Sequence, residues 1–105
     1  MLRIYGTMIN ALRMLRPVIE QVERKDRDLG NQLRRCSASV AQNLAEGSGS
    51  RGGNRNSRYR SALGSVKETA ACLDVAPALG YVEVVDGKVS DALEEVRRVL
   101  VVVTV

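Results

Sequence analysis

Histidine is missing from all 105 residues, and so are phenylalanine and tryptophan. Without histidine there is no Ser–His or Cys–His nucleophile pair, and the commonest metal ligand is gone as well. A catalytic role is therefore not expected. Glu46 and Glu68 offer the one pairing that acid–base chemistry across two helices would need, and a structural role for both is the expectation carried forward. Only two cysteines occur, Cys36 and Cys72. They are too few and too isolated for a disulfide framework or a thiolate metal site. They read as free, reduced thiols in a cytoplasmic protein that needs no metal and no cofactor. Long apolar runs are lacking too. The longest, Val99 to Val103, falls far short of the ~20 residues that span a bilayer, so no membrane partner is expected.

What is present is aliphatic. Hydrophobic residues make up 45% of the chain, yet the only aromatic side chains are Tyr5, Tyr59 and Tyr81. A core of Leu, Val, Ile, Met and Ala suits helix-on-helix packing. Apolar residues recur at steps of four and three in four blocks, the pattern of helices that bury one stripe. The blocks are Met8, Leu12, Leu15, Ile19 and Val22; Leu29, Leu33, Cys36, Val40 and Leu44; Tyr59, Leu63, Val66, Ala70 and Leu73; and Val89, Leu93, Val96, Leu100 and Val103. They predict an all-α, antiparallel up-down-up-down four-helix bundle, one domain over residues 1–105, with helices at about 3–24, 28–46, 55–78 and 88–103. Pro17 is expected to kink the first helix. Asp26 or Asp28 is placed to cap the second, Asn54 or Ser57 the third, and Asp86 or Ser90 the fourth. "YVEVVDGKV" at 81–89 leaves two readings open: a loop, or a hairpin turning on Asp86-Gly87.

Charge is unevenly spread. The net charge of +4 conceals a central segment, residues 34–67, with seven Lys/Arg against the single acid Glu46. Residues 68–105 carry three Lys/Arg against seven acids. Inside the basic segment lies "GSGSRGG", a literal G-x-G-x-x-G at Gly47, Gly49 and Gly52. A dinucleotide fingerprint needs those glycines after a strand, and a phosphate loop needs Lys and Ser/Thr after the last of them. Here they follow a helix, and Gly53-Asn54 come next. The stretch is expected to be a polar helix connection. Its arginines are the stronger signal. Arg51, Arg55 and Arg58 are spaced to share one face, and Arg60 and Lys67 the opposite flank. With Arg34 they are the candidate contacts to phosphates of RNA or DNA, salt-dependent and weakly sequence-specific. The competing reading is an ordinary solvated face on an oligomeric scaffold whose partner is a protein. Arg35, Ser39, Gln42 and Glu46 line a second, polar stripe on the second helix, suited to interhelical hydrogen bonds. Gly64, costly inside a helix, suggests close approach of a neighbouring backbone.

"QLRRCSASVAQNLAEGSGS", followed by "YRSALGSVKET" and "LGYV", resembles a bacterial four-helix-bundle family. It includes proteins encoded in intervening sequences of large-subunit ribosomal RNA genes and is similar to the accessory variability proteins of diversity-generating retroelements. The likeness is close over roughly residues 29 to 82 and looser at both ends. It implies an antiparallel bundle assembling into a homopentamer. For the retroelement members it further implies a basic surface that binds nucleic acid and a partner reverse transcriptase. Arg35, Ser39, Asn43, Glu46, Gly47, Gly64, Ser65 and Glu68 occupy the family's motif positions. The resemblance carries no catalytic role for them, and we expect packing and an interhelical network of Arg35, Ser39, Asn43, Glu46 and Glu68. The β-branched "RRVLVVVTV" departs from the pattern, which leaves the length of the last helix open and suggests burial of that end against a neighbouring subunit.

Overall fold

The structure, a computed structural model, describes residues 2–104; Met1 and Val105, the outermost residues of the expected domain, lie outside the described residues. Four helices follow one another: α1 (Ile4–Lys25), α2 (Arg27–Ser48), α3 (Gly52–Ala78) and α4 (Gly87–Val103). No strand occurs among the described residues, so the hairpin reading of 81–89 is overturned. Asp86 instead turns its carboxylate onto the Lys88 amide at 2.8 Å and starts α4. A side-chain cap that satisfies an orphan amide outcompetes a two-residue turn whose downstream arm is already helical.

Each helix buries one stripe. Ile4, Met8, Ala11, Leu15, Ile19 and Val22 of α1 meet Leu33, Cys36, Val40 and Leu44 of α2, and Val89, Leu93, Val96 and Leu100 of α4 complete the core. On α3 the buried positions are Tyr59, Ala62, Val66, Thr69, Cys72, Leu73 and Ala76, whereas Ala70, expected inside, is exposed. Thr69 takes its place because its hydroxyl is satisfied locally. It lies 2.7 Å from the Ser65 carbonyl and 3.3 Å from Cys36 Sγ, which removes the penalty of burying a hydroxyl. Val103, expected on the α4 stripe, is also exposed.

Adjacent helices pack in a closed square, with α2 and α3 the most extensively paired and α4 packed on both α3 and α1. The bundle measures 43 × 23 × 20 Å, about the length of the 27-residue α3 at 1.5 Å per residue. One residue, Asp26, joins α1 to α2. Its Oδ1 accepts from the Leu29 amide at 3.0 Å, and its Oδ2 accepts from the Tyr81 hydroxyl at 3.1 Å. That second bond ties the α1–α2 and α3–α4 connections together. At the end of α3, Gly80 adopts φ +76°, and the amides of Gly80 and Tyr81 bond back to the carbonyls of Pro77 and Ala76. This is a Schellman stop, which needs a left-handed residue where glycine has no steric cost. Pro77 lies inside the last turn and does not end the helix earlier; Pro17 lies within α1 without interrupting it.

Helices run further into the glycine segment than their composition suggests. α2 continues to Ser48 and α3 begins at Gly52, so the connection is only Gly49, Ser50 and Arg51. The reason lies in packing. A methyl group on Gly47 would stand 2.6 Å from Tyr59 Cδ1, and one on Gly30 would stand 2.7 Å from Glu23 Cα. Both glycines are helical because they let a neighbouring helix approach, which outweighs their cost of roughly 1 kcal/mol each. Gly64 does not do this: a methyl there meets nothing within 4 Å.

Candidate nucleic-acid interface

Contacts along the bundle fix which residues share an end. Gly47 touches Tyr59, Ser39 bonds Ser65, and Gln32 bonds Glu68, so α3 runs antiparallel to α2. α4 packs on α3, only eight residues separate its start from the end of α3, and both helices line one groove, so α4 runs antiparallel to α3. The start of α1 and the end of α4 therefore sit at the same end as the Gly49–Arg51 connection. Dividing every helix at its midpoint separates the charges. The half holding that connection carries Arg3, Arg13, Arg51, Arg55, Arg58, Arg60, Arg97 and Arg98 with Glu46 as its only acid. The other half carries eight Lys/Arg and eleven Asp/Glu, counting Glu95, which stands at the midpoint of α4.

The six basic residues singled out from the sequence do not form one patch. Arg51, Arg55, Arg58 and Arg60 stand at the basic end, all exposed. Arg34 lies in the other half, where it pairs with Glu23 of α1 at 3.0 Å. Lys67 lies on the α3 flank and lines a groove together with Asp74, Glu94 and Arg97. Within the basic end, Arg58 forms a 2.7 Å ion pair with Glu46, both side chains about half exposed. Arg55 Nε donates to the Ser50 carbonyl at 3.0 Å and braces the connection. Two residues on from Arg58, Arg60 points some 200° around the helix, onto the flank away from α2. Arg3, Arg13, Arg97 and Arg98 do not stand out in the sequence, though the parity of an up-down-up-down bundle already assigns them to this end.

Local structure adds to the positive potential. Arg51 is the N-cap of α3 and no side chain caps its first amides, so the positive end of a long helix faces outward where anions are favoured. Arg97 is partly spent, since its guanidinium donates twice to Glu94, at 2.9 and 2.6 Å, and holds that carboxyl below the usual range. Tyr59 is only 6% exposed; it packs and offers no stacking platform. The end thus presents guanidinium groups and backbone amides, a chemistry that meets phosphates and does not read bases.

The expected interhelical network divides in the same way. Ser65 donates to Ser39 Oγ at 3.0 Å, and Asn43 donates to Ser39 Oγ at 3.0 Å and to the Ser39 carbonyl at 2.9 Å. Glu68 accepts from Gln32 at 3.3 Å, and Glu46 serves the Arg58 pair. Glu46 and Glu68 are 22 positions apart on different helices, each engaged with its own partner. Arg35, Ser39, Ser65, Gln32 and Glu68 line a shallow polar depression of about 320 Å³ with Cys36 in its wall. Arg35 makes no hydrogen bond or ion pair among the described residues. Beneath, Cys36 and Cys72 are free and buried. Burial first, then the neighbouring Cys36, pushes the Cys72 thiol up to about 11. Among the described residues no group of three or more His, Cys, Asp or Glu is placed to hold a metal, and no helix is long and apolar enough to cross a membrane.

Comparison with known proteins places this geometry in a family. A family model described as 23S rRNA-intervening sequence protein matches residues 2–102. A crystal structure of a protein of unknown function from the S23 ribosomal protein family of Bacteroides thetaiotaomicron is similar in fold. Its TM-score is 0.80 at 14% identity, over 96% of this chain and 97% of that one. No curated protein matches the chain.

Proposed function

The chain belongs to the 23S rRNA-intervening sequence protein family, and from that premise we propose that it is a self-associating, non-catalytic accessory protein that binds RNA or DNA through the basic end of its bundle. The observation that carries the proposal is the segregation of charge, eight arginines against one carboxylate at one end of a chain whose net charge is only +4. Eight guanidinium groups gathered in one half of a bundle 20–23 Å across add their fields over that end. Such a surface binds a polyphosphate by releasing counterions, so affinity falls steeply with salt.

Ribosomal RNA is the first ligand class to test, because the family's description directs attention there. A reverse transcriptase, which the resemblance implied for the retroelement members, gains no further support. Homopentameric assembly is part of the proposal and finds support in the apolar side chains left exposed, Val75, Leu79, Val84 and Val101–Val103. Those same side chains favour the second reading, a scaffold for protein contacts alone. Fluorescence anisotropy of labelled RNA and DNA, single- and double-stranded, at several salt concentrations separates the two. Binding that weakens steeply with salt supports the nucleic-acid reading. Absence of binding at low salt by an intact assembly leaves the scaffold.

A further inference from the structure

The end of α2 backs two arginines at the start of α3. Arg58 Nη1 lies 2.7 Å from Glu46 Oε2. Ser50 Oγ donates to the Glu46 carbonyl at 2.8 Å, and the Ser50 carbonyl in turn accepts from Arg55 Nε at 3.0 Å. Glu46 therefore stands behind both side chains, directly for Arg58 and through Ser50 for Arg55. Each guanidinium is held by one nitrogen. Both terminal nitrogens of Arg55, and Nε and Nη2 of Arg58, have no partner among the described residues. Residues three apart on a helix are neighbours, about 5–6 Å between Cβ atoms, a step that suits consecutive phosphates of one strand. Glu46 is also the only acid in the basic half, where a carboxylate weakens the attraction for phosphate. An ion pair half exposed at both side chains adds little to the stability of a fold. What this pair changes is the freedom of Arg58, whose long side chain otherwise samples many rotamers.

We infer that Arg55 and Arg58 form a clamp for two successive phosphates of one nucleic-acid strand, and that Glu46 is the positioning residue that holds Arg58 in it. A guanidinium already held loses less conformational freedom when a phosphate binds, and it presents its planar fork in one orientation. That gain works against the cost of one negative charge, and here the gain is the larger. Arg55 is held the same way without any such cost, since its anchor is a neutral carbonyl. The clamp rests on the nucleic-acid binding proposed above and names the residues that make one of its contacts.

The sign of one substitution separates positioning from plain charge. Glu46→Ala removes the only acid of the basic half. If charge alone governed binding, labelled single-stranded RNA would bind this variant more tightly than the parent. With Glu46 positioning Arg58, binding weakens instead, by about two- to tenfold, the cost of ordering one flexible side chain. In an Arg58→Ala background the same change should not weaken binding further, because nothing is left to position. Arg55→Ala and Arg58→Ala should each lower the salt slope by about 0.7 on a single strand. Fluorescence anisotropy reads the three single variants and the double variant, with circular dichroism to check helicity. A parent that binds while Glu46→Ala binds as well or better overturns the positioning role, and so does equal weakening in both backgrounds. Unchanged slopes for Arg55→Ala and Arg58→Ala overturn the clamp while nucleic-acid binding stands. A parent that does not bind at low salt overturns both.

Discussion

Gly47 of α2 lies against the ring of Tyr59 on α3, so close that a methyl group at Gly47 would stand 2.6 Å from Tyr59 Cδ1. This contact holds the two helices together where the basic end begins, and it explains why a glycine persists near the end of a helix. Gly47→Ala must push the ring or the helix away. We expect a loss of about 1–3 kcal/mol, the usual cost of overpacking, measured by urea unfolding at fixed protein concentration. Pairing it with Tyr59→Leu should recover part of that loss, since sites in direct contact are not additive.

Gly64 gives the opposite result. It sits in the middle of α3 with open space where a side chain would go. Gly64→Ala should therefore stabilise the protein by up to ~1 kcal/mol through helix propensity alone. The same substitution on neighbouring helices thus differs in sign, which thermal unfolding of both variants reads directly.

Asp26 caps α2 with one oxygen and accepts from Tyr81 with the other. Asp26→Ala should cost about 0.5–2 kcal/mol, the range for removal of an N-cap. Tyr81→Phe, which removes only the second bond, should cost less. The bond to Asp26, foremost, raises the Tyr81 phenol above its ordinary value. Its folded value exceeds the unfolded one, so the contribution is full below about pH 10 and is lost as pH rises through the folded value. Subtracting the stability profile of Tyr81→Phe from that of the parent isolates it.

Much of this architecture is legible in the chain. Four apolar stripes and their steps of four and three specify four helices, and the antiparallel order follows from connections too short for anything else. Boundaries within the glycine segment are not legible, because Gly47 packs against Tyr59, twelve residues away in sequence and adjacent only once α2 and α3 pair. Thr69 is missed as a core residue because its polarity is cancelled only by Ser65 and Cys36 in three dimensions. Of the basic end, the Arg51–Arg60 cluster is legible directly. Arg34 and Lys67 are near it in sequence but lie in the other half of the bundle, and Arg3, Arg13 and Arg98 join it only because the fold brings the two termini together.

Cys36 and Cys72 should be silent thiols. Both are nearly inaccessible, at 4 and 3% exposure, and Cys72 is pushed up to about 11. Thiol-specific reagents at pH 8 should label neither in the native protein and both after unfolding, by mass spectrometry. Since the folded value of Cys72 lies above its unfolded 9.0, stability should decline as pH rises from about 9 to about 11. Cys72→Ala should flatten that decline.

The segregation of charge is tested most directly by removing equal charge from opposite ends. One variant replaces Arg51, Arg55 and Arg98 with alanine; the other replaces Arg24, Lys25 and Lys88, all exposed in the half that carries eleven acids. Both lose three positive charges, and anisotropy with labelled RNA is followed across a salt series. We predict that the first variant binds far more weakly and with a shallower salt slope, by up to about 0.7–0.9 for each phosphate no longer neutralised, while the second binds nearly as the parent does. Equal weakening in the two variants would mean that only total charge matters and would contradict a binding surface at the basic end.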